Sequence, residues 1–107
     1  MMRGEVWWVN FEPSVGGEAQ KIRPVVILSN NASNRHLNRL QVVPITSHID
    51  KLYAGEAYVT VKGDRRKAQA NLLTTVSKLR LSTRLDTLSH ADLADVESAV
   101  KVQLELA

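Results

Sequence analysis

With 107 residues, a formal net charge of +3 and no cysteine, the chain has room for one compact core, and disulfides, thiolate nucleophiles and thiolate metal sites are excluded together. Hydrophobic residues make up 44% and charged residues 23%, a globular balance without the run of ~18 apolar residues that a membrane helix needs. The charge is uneven: residues 1–86 carry 13 Lys or Arg against 7 Asp or Glu, a net of +6, whereas residues 87–107 carry 1 against 4, a net of −3.

Such a body attracts polyanions and such an ending does not, although an ordinary surface followed by an acidic helix accounts for the same numbers. The start, Met1-Met2-Arg3-Gly4-Glu5, lacks the apolar stretch of a secretion signal. We therefore expect one domain over residues 1–107, soluble and cytoplasmic.

The first two thirds read as strands, because short apolar or alternating runs recur between polar clusters. Glu5 to Phe11 is the first run, and its adjacent Trp7 and Trp8 must point to opposite faces, one to the core and the other to solvent or an interface. Glu12 to Ile22 follows, with Gly16-Gly17 keeping the backbone permissive, and predicts a mobile surface loop. Pro24 to Ser29 is nearly continuous in apolar residues, which suggests burial on both faces. Asn30 to Asn38 is dense in side chains that hydrogen-bond their own backbone, so a loop or one irregular helical turn is expected.

Arg39 to Ile45, Ala57 to Val61 and Ala70 to Val76 supply three more strands, with Leu79 to Leu85 adding another short one. The basic triplet Arg65-Arg66-Lys67 is placed near a turn beginning at Gly63. The ending differs in kind: Leu93, Val96, Val100 and Leu104 recur at helical spacing. Ser89 suits the N-cap with Asp92 at the third helical position, and Leu88 can staple against Leu93. Many short strands and one final helix imply a mainly β fold, a small, strongly curved antiparallel barrel with the helix laid against it.

There is no glycine-rich phosphate loop, no His-Glu-x-x-His and no Gly-x-Ser-x-Gly, which argues against nucleoside triphosphatases and zinc hydrolases. His36, His48 and His90 are far apart in the chain; a catalytic pair of His36 with His48 stays open beside the plainer reading of solvated loop histidines. Arg23 is held extended by Pro24, so its guanidinium projects from a rigid strand edge. Thr46 and Ser47 leave the end of another strand. If those ends are neighbours, a planar cation and a hydroxyl flank one pocket, which suits a phosphate. An ordinary salt-bridged arginine and a β-branched strand threonine are the plainer alternatives.

The ordered set Arg3-Gly4-Glu5-Val6-Trp7, Gly17-Glu18, Arg23-Pro24-Val25-Val26, Ser29-Asn30-Asn31, Val43-Pro44-Ile45-Thr46-Ser47, Lys67-Ala68-Gln69-Ala70, Val76-Ser77 and Arg80-Leu81 resembles the PemK/MazF-type toxins of bacterial toxin-antitoxin pairs. The resemblance spans nearly the whole chain. It implies an SH3-like barrel that dimerises, and metal-independent, cofactor-free endoribonucleolytic cleavage of single-stranded RNA by attack of the 2′-hydroxyl. It also implies an antitoxin whose acidic, extended tail covers the site. The family's catalytic arginine and threonine match Arg23 and Thr46, and its loop glutamate matches Glu18, which is expected to accept the 2′-proton.

Asn10, Phe11, Lys21, Ser47, Lys51, Tyr53 and Gln69 are the expected RNA contacts, Tyr53 by stacking a base. Where many members carry an acidic residue followed by Gln, this chain has Asn71-Leu72, so that polar contact is missing or supplied by Gln69. Two rivals share the fold: a gyrase poison of the CcdB type, against which the ending Gln103-Leu104-Glu105-Leu106-Ala107 lacks the essential tryptophan, and an RNA-binding barrel that does not cut.

Overall fold

The computed structural model describes residues 1–12 and 22–107, so the expected mobile loop falls almost wholly outside the described residues. In chain order the elements are β1 (Glu5–Asn10), β2 (Ile22–Ile27), α1 (Asn31–His36), β3 (Arg39–Thr46), β4 (Glu56–Val61), β5 (Asp64–Gln69), β6 (Thr74–Ser77), β7 (Leu81–Thr87) and α2 (His90–Leu104). The strands run β4-β5-β3-β2-β1-β7, with β6 also on β3, and every pairing is antiparallel. This is a curled half-barrel with one long C-terminal helix, the mainly β architecture expected.

The sheet serves two cores. Val6, Val26, Val43 and Ile45 pack with β4, Leu88 and the buried Val96 and Ala99 of α2, while Val9, Val25, Ile27 and Val42 pack with Val76 and Leu81 on the other face. Successive side chains on a strand point to opposite sides, so Val25 and Val26 enter different cores. That is why β2 reads as an unbroken apolar run. β3 pairs with β6 through Arg39–Val42 and with β5 through Ile45–Thr46. Pro44, with no N–H to donate, falls between the two.

Two expectations need correction. Arg65, Arg66 and Lys67 lie within β5, paired with Thr60, Val59 and Tyr58, and the turn is confined to Lys62-Gly63, whose φ angles of 53° and 79° make a two-residue hairpin. The charges are accommodated by partners: the Arg65 guanidinium lies 3.9 Å from the centroid of the Tyr58 ring, and Lys67 pairs with Glu56 at 3.0 Å. The stretch 70–76 is not one strand either. A 3₁₀ turn at Ala70–Leu72 carries the chain from the end of β5 to β6, because β5 and β6 pair with different parts of β3.

The irregular turn expected after Asn30 is the short helix α1, with the Asn30 side chain accepting from the Ser33 N–H. At α2 the Ser89 hydroxyl accepts from the Asp92 N–H, and Leu88 joins the core beside Leu93. The apolar stripe stops short of its expected end, since Leu104 is 50% exposed. β4 has no strand partner on its outer edge in this order. Two carboxylates serve that edge instead: Asp92 accepts from the Thr60 N–H at 2.8 Å and Asp86 from the Lys62 N–H at 2.7 Å.

Candidate active site

Arg23 follows the first residue of β2, and Thr46 is the last residue of β3. The β2–β3 ladder pairs Ile27 with Val42, Val26 with Val43 and Val25 with Pro44; carried two residues further, the same register sets Arg23 opposite Thr46. Both line one open cleft of about 500 Å³, together with Ser47, Gln69, His48 and Arg66. Trp8, Ile22, Pro24, Ile45 and Leu72 form its apolar walls. Sequence-distant residues thus converge on one end of the barrel.

The cleft has a definite polar geometry. The Arg23 Nη2 donates to Gln69 Oε1 at 2.5 Å, which fixes the plane of a half-buried guanidinium. Burial pushes the Arg23 pKa down from the ordinary arginine value, and the group stays charged at neutral pH. The Thr46 Oγ1 accepts from the His48 backbone N–H at 3.2 Å. An oxygen that accepts there keeps its own O–H for a ligand. Arg23 and Arg66 are the charged groups of the lining, and no carboxylate belongs to it among the described residues. Neither do the described residues contain a group of three or more His, Asp or Glu able to hold a metal ion.

The loop after Thr46 is stitched down from beneath. Lys67 and Glu56, both about nine-tenths buried, form an ion pair at 3.0 Å; the Lys67 Nζ also donates to the Lys51 carbonyl at 2.7 Å, and Glu56 accepts from the Tyr53 N–H at 2.8 Å. The Tyr58 hydroxyl donates to the Ile49 carbonyl at 3.0 Å. Lys51 and Tyr53 are thereby presented on an anchored loop, with the Lys51 ammonium 5.2 Å from the exposed Tyr53 ring.

Of the residues singled out from the sequence, Arg23, Thr46, Ser47 and Gln69 meet in the cleft. Lys51 and Tyr53 sit on the neighbouring loop. Asn10 is exposed at the end of β1 and accepts from the Glu12 N–H, while Phe11 packs against the second core; neither belongs to the cleft lining. Glu18 and Lys21 lie outside the described residues. His36 belongs to α1 and not to the lining, so the structure does not bring it together with His48 there.

Sequence reasoning missed Trp8, Arg66 and Leu72 as lining residues and placed His48 only in a pair with His36. Trp8 had a signal: alternation along β1 separates it from Trp7, which packs on the second core and donates its indole N–H to Glu5, and its register partner is Pro24, next to Arg23. His48 was weighed only as a partner of His36, which is not in the lining, and Arg66 was assigned to a turn.

A family model described as PemK-like, MazF-like toxin of type II toxin-antitoxin system matches residues 2–104. The chain belongs to that family. Endoribonuclease MazF9 of Mycobacterium tuberculosis is 36% identical over 115 residues, covering 99% of this chain and 98% of its own. MazF of Deinococcus radiodurans superposes with a TM-score of 0.86 at 25% identity, covering 98% of this chain and 96% of its own. The MazE-MazF structure (Form-III) from the same organism gives 0.78 at 26% identity, covering 100% and 98%. The PemK/MazF resemblance read from the motifs is thereby shown over nearly the full chain.

Proposed function

We propose that this PemK/MazF-family toxin is a metal-independent endoribonuclease that cuts single-stranded RNA at short preferred sequences, acting as a single domain over residues 1–107 in the cytoplasm. The observation that carries the reading is that Arg23 and Thr46 line one open cleft whose charged groups are both arginines, Arg23 and Arg66. The name of the relative from Mycobacterium tuberculosis supports it.

RNA carries its own nucleophile. When the 2′-hydroxyl attacks the adjacent phosphorus, negative charge builds on the equatorial phosphate oxygens and the 5′-oxygen leaves, producing a cyclic phosphate and a 5′-hydroxyl end. Arg23, permanently charged and oriented by Gln69, suits two parallel hydrogen bonds to those oxygens, strongest in the transition state. Thr46 donates its free O–H to the same phosphate. Arg66 adds positive potential. The two arginines of the lining support charge neutralisation by the protein's own groups.

Trp8 and Tyr53 offer faces on which unstacked bases can lie, with Lys51 and Ser47 as polar contacts alongside. The toxin is proposed to work as a homodimer and to be restrained by an acidic antitoxin tail, a partner in keeping with the family's description and with the MazE-bound relative.

The test is to incubate the protein with a long unstructured RNA in excess EDTA and map the ends. Discrete fragments with cyclic phosphate and 5′-hydroxyl termini are expected, with kcat lowered ~100-fold or more in Arg23→Ala, the scale of removing one transition-state donor. Intact RNA in every buffer would exclude the reading; RNA bound but uncut would point to a binding barrel.

A further inference from the structure

We infer that His48 is the general base that takes the 2′-hydroxyl proton during cleavage, an inference that rests on the ribonuclease reading above. The cleft needs a proton acceptor, and most of its polar lining cannot serve. Guanidiniums keep their protons at neutral pH, which rules out Arg23 and Arg66; the Thr46 and Ser47 hydroxyls are far weaker bases than the task needs, and the Gln69 amide is not basic. Imidazole is the remaining described polar side chain of the lining, and it is the side chain whose charge ordinarily changes between pH 5 and 8.

His48 is also held in place. Its backbone N–H is bonded to Thr46 Oγ1, and the carbonyl of the next residue, Ile49, is bonded to the Tyr58 hydroxyl on β4. The ring is therefore carried on a segment pinned on both sides, next to the hydroxyl that would bind the scissile phosphate. The charged groups facing it across the cleft are Arg23 from β2 and Arg66 from β5, with Asp50 and Lys51 following on its own loop.

In the step, the 2′-oxygen gives its proton to the unprotonated ring nitrogen of His48 as it bonds to phosphorus. The bond from phosphorus to the 5′-oxygen breaks, and that oxygen takes a proton from water. The hydroxide so formed is neutralised when the imidazolium releases its proton, so the cycle closes with no net change.

The experiment is single-turnover cleavage in EDTA from pH 5 to pH 9 for wild type, Arg23→Ala, Glu18→Gln and His48→Gln, the last keeping the backbone N–H that holds Thr46. Wild-type kcat should rise with pH and then level off, the profile of a step that needs a deprotonated base. His48→Gln should lack that rise, with kcat ~100-fold lower, KM within about twofold and an unchanged melting temperature; added imidazole should restore part of the activity of His48→Ala. His48→Gln cutting at the wild-type rate with the same profile would overturn the inference while leaving the nuclease intact. So would a rise lost in Glu18→Gln but kept in His48→Gln. RNA left whole by the wild type would remove the ribonuclease reading and this inference together.

Discussion

Gln69 and Arg23 touch across 46 positions of sequence, and the contact makes an ordinary strand arginine into an oriented one. Gln69 adds no charge; it holds a planar cation in one plane, which matters where two phosphate oxygens must be met at once. Gln69→Leu should therefore lower kcat about tenfold, equivalent to ~1.4 kcal/mol, and leave the melting temperature within a degree or two. Arg23→Lys should lose more, because an ammonium is a point charge that cannot replace the fork. Single-turnover rates on one RNA decide both. A Gln69→Leu protein with unaltered rates would show that Arg23 is oriented by packing alone.

At the scale of elements, the opening Arg3-Gly4-Glu5 motif turns out to hold structure together. Gly4 has a φ of +91°, and a Cβ there would meet the Leu93 side chain of α2 at 3.3 Å. Glu5 is nearly buried, which raises its pKa, but the Met2 N–H, the Trp7 indole, the Arg84 guanidinium and the N-terminal amine outweigh burial and leave it below the usual carboxylate value. A carboxyl lowered in this way stabilises the fold fully above its unfolded pKa, and the gain is lost as pH falls through the lower folded value. Glu5→Gln should cost ~1.5–3 kcal/mol at neutral pH, the range for hydrogen bonds to a charged group, and the deficit should shrink below about pH 4. Urea titrations at pH 7 and pH 3.5 would check this.

The β4–β5 hairpin carries the second element-scale device, the Lys67–Glu56 pair under the 47–55 loop. Lys67→Met leaves Glu56 buried without its partner, expected to cost ~3–5 kcal/mol, and a Lys67→Met/Glu56→Leu double variant should recover much of it. Lys67→Met releases the bond to the Lys51 carbonyl, and the double variant also releases the one from the Tyr53 N–H. Amides of the loop should exchange faster in each, while those of β1–β3 in the stable double variant keep their protection.

For the molecule as a whole, the half-barrel is closed by side chains where strand pairing stops. Asp92 near the start of α2 accepts the Thr60 N–H of β4, and Asp86 of β7 accepts the N–H of Lys62 in the turn after it, so the helix and the last strand are coupled to the far edge of the sheet. The Lys62 and Thr87 backbone bonds hold the Asp86 carboxyl below its ordinary value. Its contribution is therefore present above the unfolded pKa and fades as pH drops through the folded one. Asp86→Asn/Asp92→Asn should lower the thermal midpoint at pH 7 and leave a smaller acid-induced drop than in the wild type, as read by calorimetry across pH 3–7. An equal drop in both proteins would assign the acid sensitivity elsewhere, with Glu5 the next group to test.

The alternating and unbroken apolar runs, the Ser89 cap with its Leu88 staple and the ordered motifs were legible as sequence, because each depends on local periodicity or on a short pattern of residue types. They determined a mainly β, strongly curved antiparallel sheet, the final helix, the family, and Arg23 and Thr46 as candidate site residues. The arrangement of the cleft belongs to tertiary structure. Arg23 and Thr46 share a cleft only because β2 and β3 pair side by side, Gln69 reaches Arg23 only because β5 pairs beside the end of β3, and His48 enters the lining on a loop that is bonded from below. Contacts between residues distant in the chain arise when the sheet curls, and no local pattern encodes them.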